Sequence, residues 1–148
     1  MKRKKNIFDK IGSLIPGYSG YQERESRREC DRQLREEIAS KLSLIENKIS
    51  LKMADASMSD LMGIEKCRKK INNLKDMIRY SPYGASSIFS NSEIKEEQLE
   101  TIYQLDLDVL DTVDSIEMNV HSDNLSDLEL LIEQTSNAIS KRNQYLKS

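Results

Sequence analysis

Between Tyr18 and Met53 the chain runs for more than thirty residues without a proline, and Gly20 is the only glycine in that stretch. Leu34, Ile38, Leu42, Ile45, Ile49 and Met53 recur within it at spacings of four and three, which is one face of an α-helix. A long helix with a single apolar stripe needs something to cover that stripe. Three later segments carry the same periodicity. From Asp60 to Tyr80 the stripe is Leu61, Ile64, Cys67 or Arg68, Ile71, Leu74 and Ile78. From Glu93 to Val120 it is Leu99, Ile102, Leu105 or Asp106, Val109, Val113, Ile116 and Val120, broadened by Tyr103, Leu107 and Leu110. The last segment places Leu125, Leu128, Leu131 or Ile132, Thr135, Ala138 or Ile139, Arg142 and Leu146 on one side.

The expected fold is therefore all-α: an antiparallel helical bundle of two long helical hairpins, residues 22–80 and 93–147, after a short amphipathic N-terminal segment. Residues 1–21 form the basic amphipathic segment with its Gly/Tyr loop, and 22–148 the bundle domain. At 148 residues the chain has the size of one domain and can bury about two thirds of its extended surface. The first long helix, about 45 Å if unbroken from Tyr21 to Met53, is long enough to project as a partner site or a coiled-coil dimer.

The formal charge of −2 conceals an asymmetry. Residues 1–80 hold 19 Lys or Arg against 12 Asp or Glu, and residues 81–148 hold 4 against 13. Opposite halves can attract each other, pair between copies, or leave a basic face for an anionic partner. Arg24, Arg27, Arg28, Arg32 and Arg35 lie on the first helix with Glu23, Glu25, Glu29 and Asp31 interleaved, a pattern that suits a solvated, salt-bridged surface. The same arginines, with Lys66, Lys69 and Lys70 on the second helix, are the residues expected to contact a partner or a polyanion. The sequence isoelectric point near 5.6 weighs against nucleic acid.

Ile7, Phe8, Ile11, Leu14 and Ile15 have helical spacing and end at Pro16 and Gly17. Their apolar side is expected to dock on the bundle, or alternatively on an anionic membrane or in a partner's groove, with Met1–Lys5 as a mobile basic tail. In the following loop, Gly17 and Gly20 separate Tyr18 and Tyr21, read as anchors that pack an ordered turn against the first long helix. SPYGASSIFSNS, residues 81–92, is the clearest break; Ile88 and Phe89 should pin it to the core, and Ser92 should start the next helix.

Asp108, Asp111, Asp114 and Glu117 wind along the third helix as a solvated acidic face, without the Glu-x-x-His element that di-iron bundles use. His121 sits beside a turn as a surface group. Cys30 and Cys67 are too few and too far apart for a zinc site and are read as free thiols in a reducing compartment. The N-terminus lacks the apolar run of a signal peptide, and no window approaches a spanning helix, so the expected location is cytoplasmic. No nucleophile motif, phosphate loop or dinucleotide fingerprint is present. The expectation is a protein that is not an enzyme and has no cofactor and no metal. The leading function is an interaction or adaptor module whose partner is another protein or a second copy of itself. The alternative is an anionic membrane or nucleic acid bound through the basic N-terminal half.

Overall fold

A computed structural model describes residues 2–80, 88–122 and 124–147, with side chains from residue 7 onward. Among the described residues the molecule is an all-α bundle of five helices: α1 (Lys2–Leu14), α2 (Arg27–Ala54), α3 (Met58–Arg79), α4 (Glu96–Asn119) and α5 (Leu125–Lys147). No strand occurs among the described residues.

Cross-links fix how the helices lie. Arg35 reaches the carbonyl of Arg79, and Lys75 and Arg68 both reach Glu46, so α2 and α3 run in opposite directions. Lys48 pairs with Glu117, and the Lys52 ammonium donates to the Val120 and Ser122 carbonyls, so α2 and α4 run side by side in the same direction. Ser136 and Asn143 of α5 contact Met77 of α3, which places α5 beside α3. The four long helices thus stand in the order α2, α3, α5, α4 around one core, and α1 packs against α4. The two oppositely charged halves consequently meet along two seams, α2–α4 and α3–α5.

The stripes enter the core. Leu34, Ile38, Leu42, Ile45 and Ile49 of α2, Ile64, Ile71 and Ile78 of α3, Val109, Val113 and Ile116 of α4, and Leu128, Ile132 and Ile139 of α5 are all buried. Removing such side chains from water is the main favourable term in holding the bundle together.

The ends of several helices differ from expectation. α2 begins at Arg27 rather than near residue 22. Tyr21 is pinned, its N–H donating to Tyr103 Oη at 3.1 Å and its carbonyl accepting from Arg27 Nε at 2.9 Å, so the chain turns through a single 3-10 turn at Arg24–Ser26 before the helix can start. α4 begins at Glu96 rather than Glu93, because Ile94 is buried and Lys95 is extended (φ −66°, ψ 153°); the Lys95 N–H donates to Gln98 Oε1 at 3.0 Å. α3 is capped by Ser57, whose Oγ accepts the Asp60 N–H at 3.3 Å, and α5 by Asn124, whose Oδ1 accepts the Ser126 N–H at 3.0 Å. The expected mobile tail is instead helical from Lys2. Ile88 and Phe89, within the break at residues 81–92, are buried and pin it to the core. The preceding part of that break, residues 81–87, and Asp123 lie outside the described residues.

Candidate functional site

At the end of the bundle where α2 and α4 begin, four segments converge on a buried charged cluster. Gly17 and Gly20 take positive φ angles of 80° and 85°, and the turn they make swings both Tyr18 and Tyr21 inward. Each phenol donates to Asp106 Oδ2, at 2.9 Å from Tyr18 and 2.5 Å from Tyr21. The other oxygen, Oδ1, accepts from Arg142 Nε at 2.6 Å. Arg142 Nη2 donates to Asp31 Oδ1 at 2.5 Å and to the Tyr21 hydroxyl at 3.3 Å. Asp31 Oδ2 accepts from Arg35 Nε at 2.9 Å, which completes two carboxylates and two guanidiniums. Asp31, Asp106 and Arg142 are fully buried. Charges can be held there only because each is answered by an opposite charge and by hydrogen bonds. Arg142 Nη1 is the one guanidinium nitrogen in this group that is buried without a hydrogen bond to a described residue.

An aromatic shell closes the cluster. Tyr21 stacks between Phe89 and Tyr103, with ring centroids 5.0 and 5.7 Å away, and Phe8 of α1 meets Tyr103 edge-on at 5.4 Å. Gly20 lies where Phe8 and Tyr103 leave no room for a side chain. Burial, reinforced by the Asp106 charge, pushes the Tyr18 and Tyr21 phenols far up, so both remain proton donors. Burial likewise raises Tyr103 and carries the Cys30 thiol up to about 11, although the Gly20 N–H donates to its sulfur. For Arg142 burial opposes the charge, but Asp106 and Asp31 outweigh it and hold the guanidinium protonated. For Asp106 burial outweighs the guanidinium and the phenols and raises the carboxyl. None of these groups lines the clefts described below, and the cluster's chemistry is that of an internal clamp.

The residues expected at a partner surface divide. Arg27 is a correction: it is 2% exposed, and it donates to the backbone carbonyls of Tyr21 and, at 2.6 Å, of Asn91. Its place in the helix register turns it inward, against the loop before α4. Arg35 is half-buried in the Asp31 pair. Arg32 is exposed and bound by Glu29 and Glu36. Arg24 donates to the Ser90 carbonyl at 3.2 Å and Arg28 to the Ser90 hydroxyl at 3.1 Å. Lys66 and Lys69 are exposed and Lys70 half-exposed, and none of the three forms a salt bridge with a described residue. Of the N-terminal apolar side, Ile11 is fully buried, while Ile7, Phe8 and Leu14 pack half-buried against the core. That side is therefore docked on the bundle itself. His121 is exposed, and among the described residues no three ligating side chains converge on a metal position. No helix of the described residues is long and apolar enough to cross a membrane.

Asp31, Asp106 and Arg142 are the members of the cluster that sequence reasoning left unjoined. The signal was present: Asp106 and Arg142 occupy core positions of their stripes, one residue of each sign. Two opposite charges at core register on neighbouring helices imply a buried pair.

The opposite end of the bundle, where α2 and α4 finish and α3 and α5 start, is different in kind. Met58, Met62, Met118 and Leu51 are between 73% and 87% exposed there, and Leu44 and Leu130 lie in the same half. Among the described residues only Tyr80 carries comparable apolar exposure near the buried cluster. Two clefts open at this distal end. One of about 330 Å³ is lined by Lys52, Asp55, Ser57, Asp60, Ile64 and Leu125, and the other, of about 420 Å³, by Met53, Leu61, Met62, Glu65, Lys66 and Lys69.

Comparison of the chain with protein-family models, with curated proteins and with solved structures finds no significant match in any of the three.

Proposed function

We propose that the protein is a non-catalytic interaction module that meets another protein through the distal end of its bundle. The observation that carries this reading is the sorting of exposed apolar side chains: Leu51, Met58, Met62 and Met118 stand in solvent at one end, while the buried clamp and α1 close the other. Exposed apolar side chains gathered at one end of an otherwise charged molecule support a surface that is covered in use. Methionine suits such a surface because its unbranched, polarizable side chain adapts to the partner's shape. The fully buried ionisable residues whose protonation is most displaced, Tyr21, Asp106 and Arg142, which would otherwise suggest catalysis, lie in the closed clamp.

The alternative, polyanion binding through the basic N-terminal half, has less support from its arginines. Arg27 faces inward, Arg32 is neutralised by two glutamates, and Arg24 and Arg28 bind the loop at Ser90.

The test is site-specific photo-crosslinking in the protein's own cells. A photoreactive residue at Met62 should give a discrete protein adduct, and one at Gln144, exposed at the clamp end, should not. Equal labelling from both positions, or no adduct from Met62, overturns the reading.

A further inference from the structure

We infer that the distal cleft between α2 and α3 receives an acidic amphipathic helix of the partner; this rests on the interaction reading above. Three side chains of the cleft lining are apolar: Met53 and Leu61 are half-buried, and Met62 is 82% exposed. A small ligand needs most of its surface enclosed. A lining that remains this open can be covered only by something that extends beyond the cleft. The trough between two antiparallel helices suits a third helix that lays down a row of apolar side chains.

Charge selects which helix. Glu65 in the lining is already held by one fork of the Arg68 guanidinium, with Nε and Nη2 at 2.9 and 2.6 Å. Glu46 behind it is held by Arg68 and Lys75. Lys66 and Lys69, the remaining charged residues of the lining, form no salt bridge with a described residue. The cleft therefore presents two exposed lysines without a salt bridge to a described residue beside an apolar trough. Glu or Asp flanking the partner's apolar row answers them, and a basic helix is repelled.

The probe is a fluorescent synthetic peptide of about four helical turns, with Leu at i, i+3, i+4 and i+7 and Glu at the flanking positions. Its counterpart replaces every Glu with Lys. By fluorescence anisotropy at low salt, the wild-type protein should bind the Glu peptide at least tenfold more tightly than the Lys peptide. In the Lys66→Glu/Lys69→Glu variant the preference should reverse, and Met62→Gln should weaken both peptides, with circular dichroism confirming that each variant is folded. Equal affinity for the two peptides, no binding of the Glu peptide, or retention on heparin that competes with it overturns the inference. A failure of the peptides together with a Met62-specific crosslink would remove the acidic helix and leave the distal interaction surface standing. Failure of both experiments would remove the two together.

Discussion

Arg142 and Asp31, 111 residues apart in the chain, form a fully buried ion pair with 2.5 Å between Nη2 and Oδ1. The same guanidinium holds Asp106, so a single side chain of α5 ties together α2 and α4. Replacing Arg142 with Ala leaves Asp106 without a cation in the core and Asp31 with Arg35 alone. A broken buried pair of this kind costs about 3–5 kcal/mol. Arg142→Lys retains the charge but not the fork that reaches both aspartates, and its loss should be intermediate. Urea unfolding measures both; a loss below about 1 kcal/mol for Arg142→Ala would show that the cluster is not clamped by this residue.

Arg27 and Arg32 are close on one helix but have opposite surroundings. Arg27→Ala strands the Tyr21 and Asn91 carbonyls beside a buried void and should destabilise by about 2–4 kcal/mol. Arg32→Ala removes a solvent-exposed pair with Glu29 and Glu36 and should leave the unfolding midpoint at the wild-type value. Equal midpoints for the two variants would place Arg27 on the surface after all.

Those two arginines also mark the limit of what the sequence discloses. Apolar periodicity depends on averages over a helix, and it located all four long helices and most of their inward faces. Whether one particular charged residue faces in or out depends on what the next segment offers it. Arg27 finds backbone carbonyls at Phe89 and Asn91, supplied by a loop more than sixty residues away. The alternation of acid and base from Glu23 to Arg35 looks uniform along the chain. In space it separates into a salt-bridged outer row and an inner row, Arg27, Asp31 and Arg35. Tyr18 and Tyr21 were legible as anchors because their flanking glycines imply an unusual turn. Their shared acceptor, Asp106, was not, since its distance in sequence is set only by the packing of α4 against that turn. The exposed methionines of the distal end were invisible for the opposite reason: an apolar residue at a helix end reads the same whether or not a neighbour covers it.

The turn before α2 should tolerate no side chain at Gly20. A Cβ there would lie 2.5 Å from Phe8 Cε2 and 2.7 Å from Tyr103 Oη, on a backbone with φ of 85°. Strain and overpacking together predict that Gly20→Ala costs about 2–4 kcal/mol. Gly17→Ala has the same backbone penalty, but its nearest neighbour is the flexible end of Gln33 at 3.1 Å, so the loss should be smaller. Thermal unfolding of the two variants should rank Gly20→Ala lower, and the reverse order would mean that the aromatic shell can open to admit a methyl group.

Finally, the clamp should make the protein labile to alkali. Tyr18, Tyr21, Tyr103 and Cys30 are all raised by burial, so above about pH 9 the unfolded chain releases protons that the folded one retains. With more protons bound to the native state, stability must fall as pH rises. The contribution of these groups is fully present below the ordinary thiol and phenol range. It drains away above that range, ending for Cys30 at about 11 and continuing further for the phenols. Each group adds a slope of about 1.4 kcal/mol per pH unit once its unfolded form is ionised. Urea unfolding from pH 8 to 11 should show this decline, and Tyr18→Phe should reduce its slope by about one proton's worth. Phenolate absorbance should rise for these three tyrosines only as the protein unfolds. A stability that stays level to pH 11, or tyrosines that ionise together in the folded state, would mean that the Asp106 cluster is open to water.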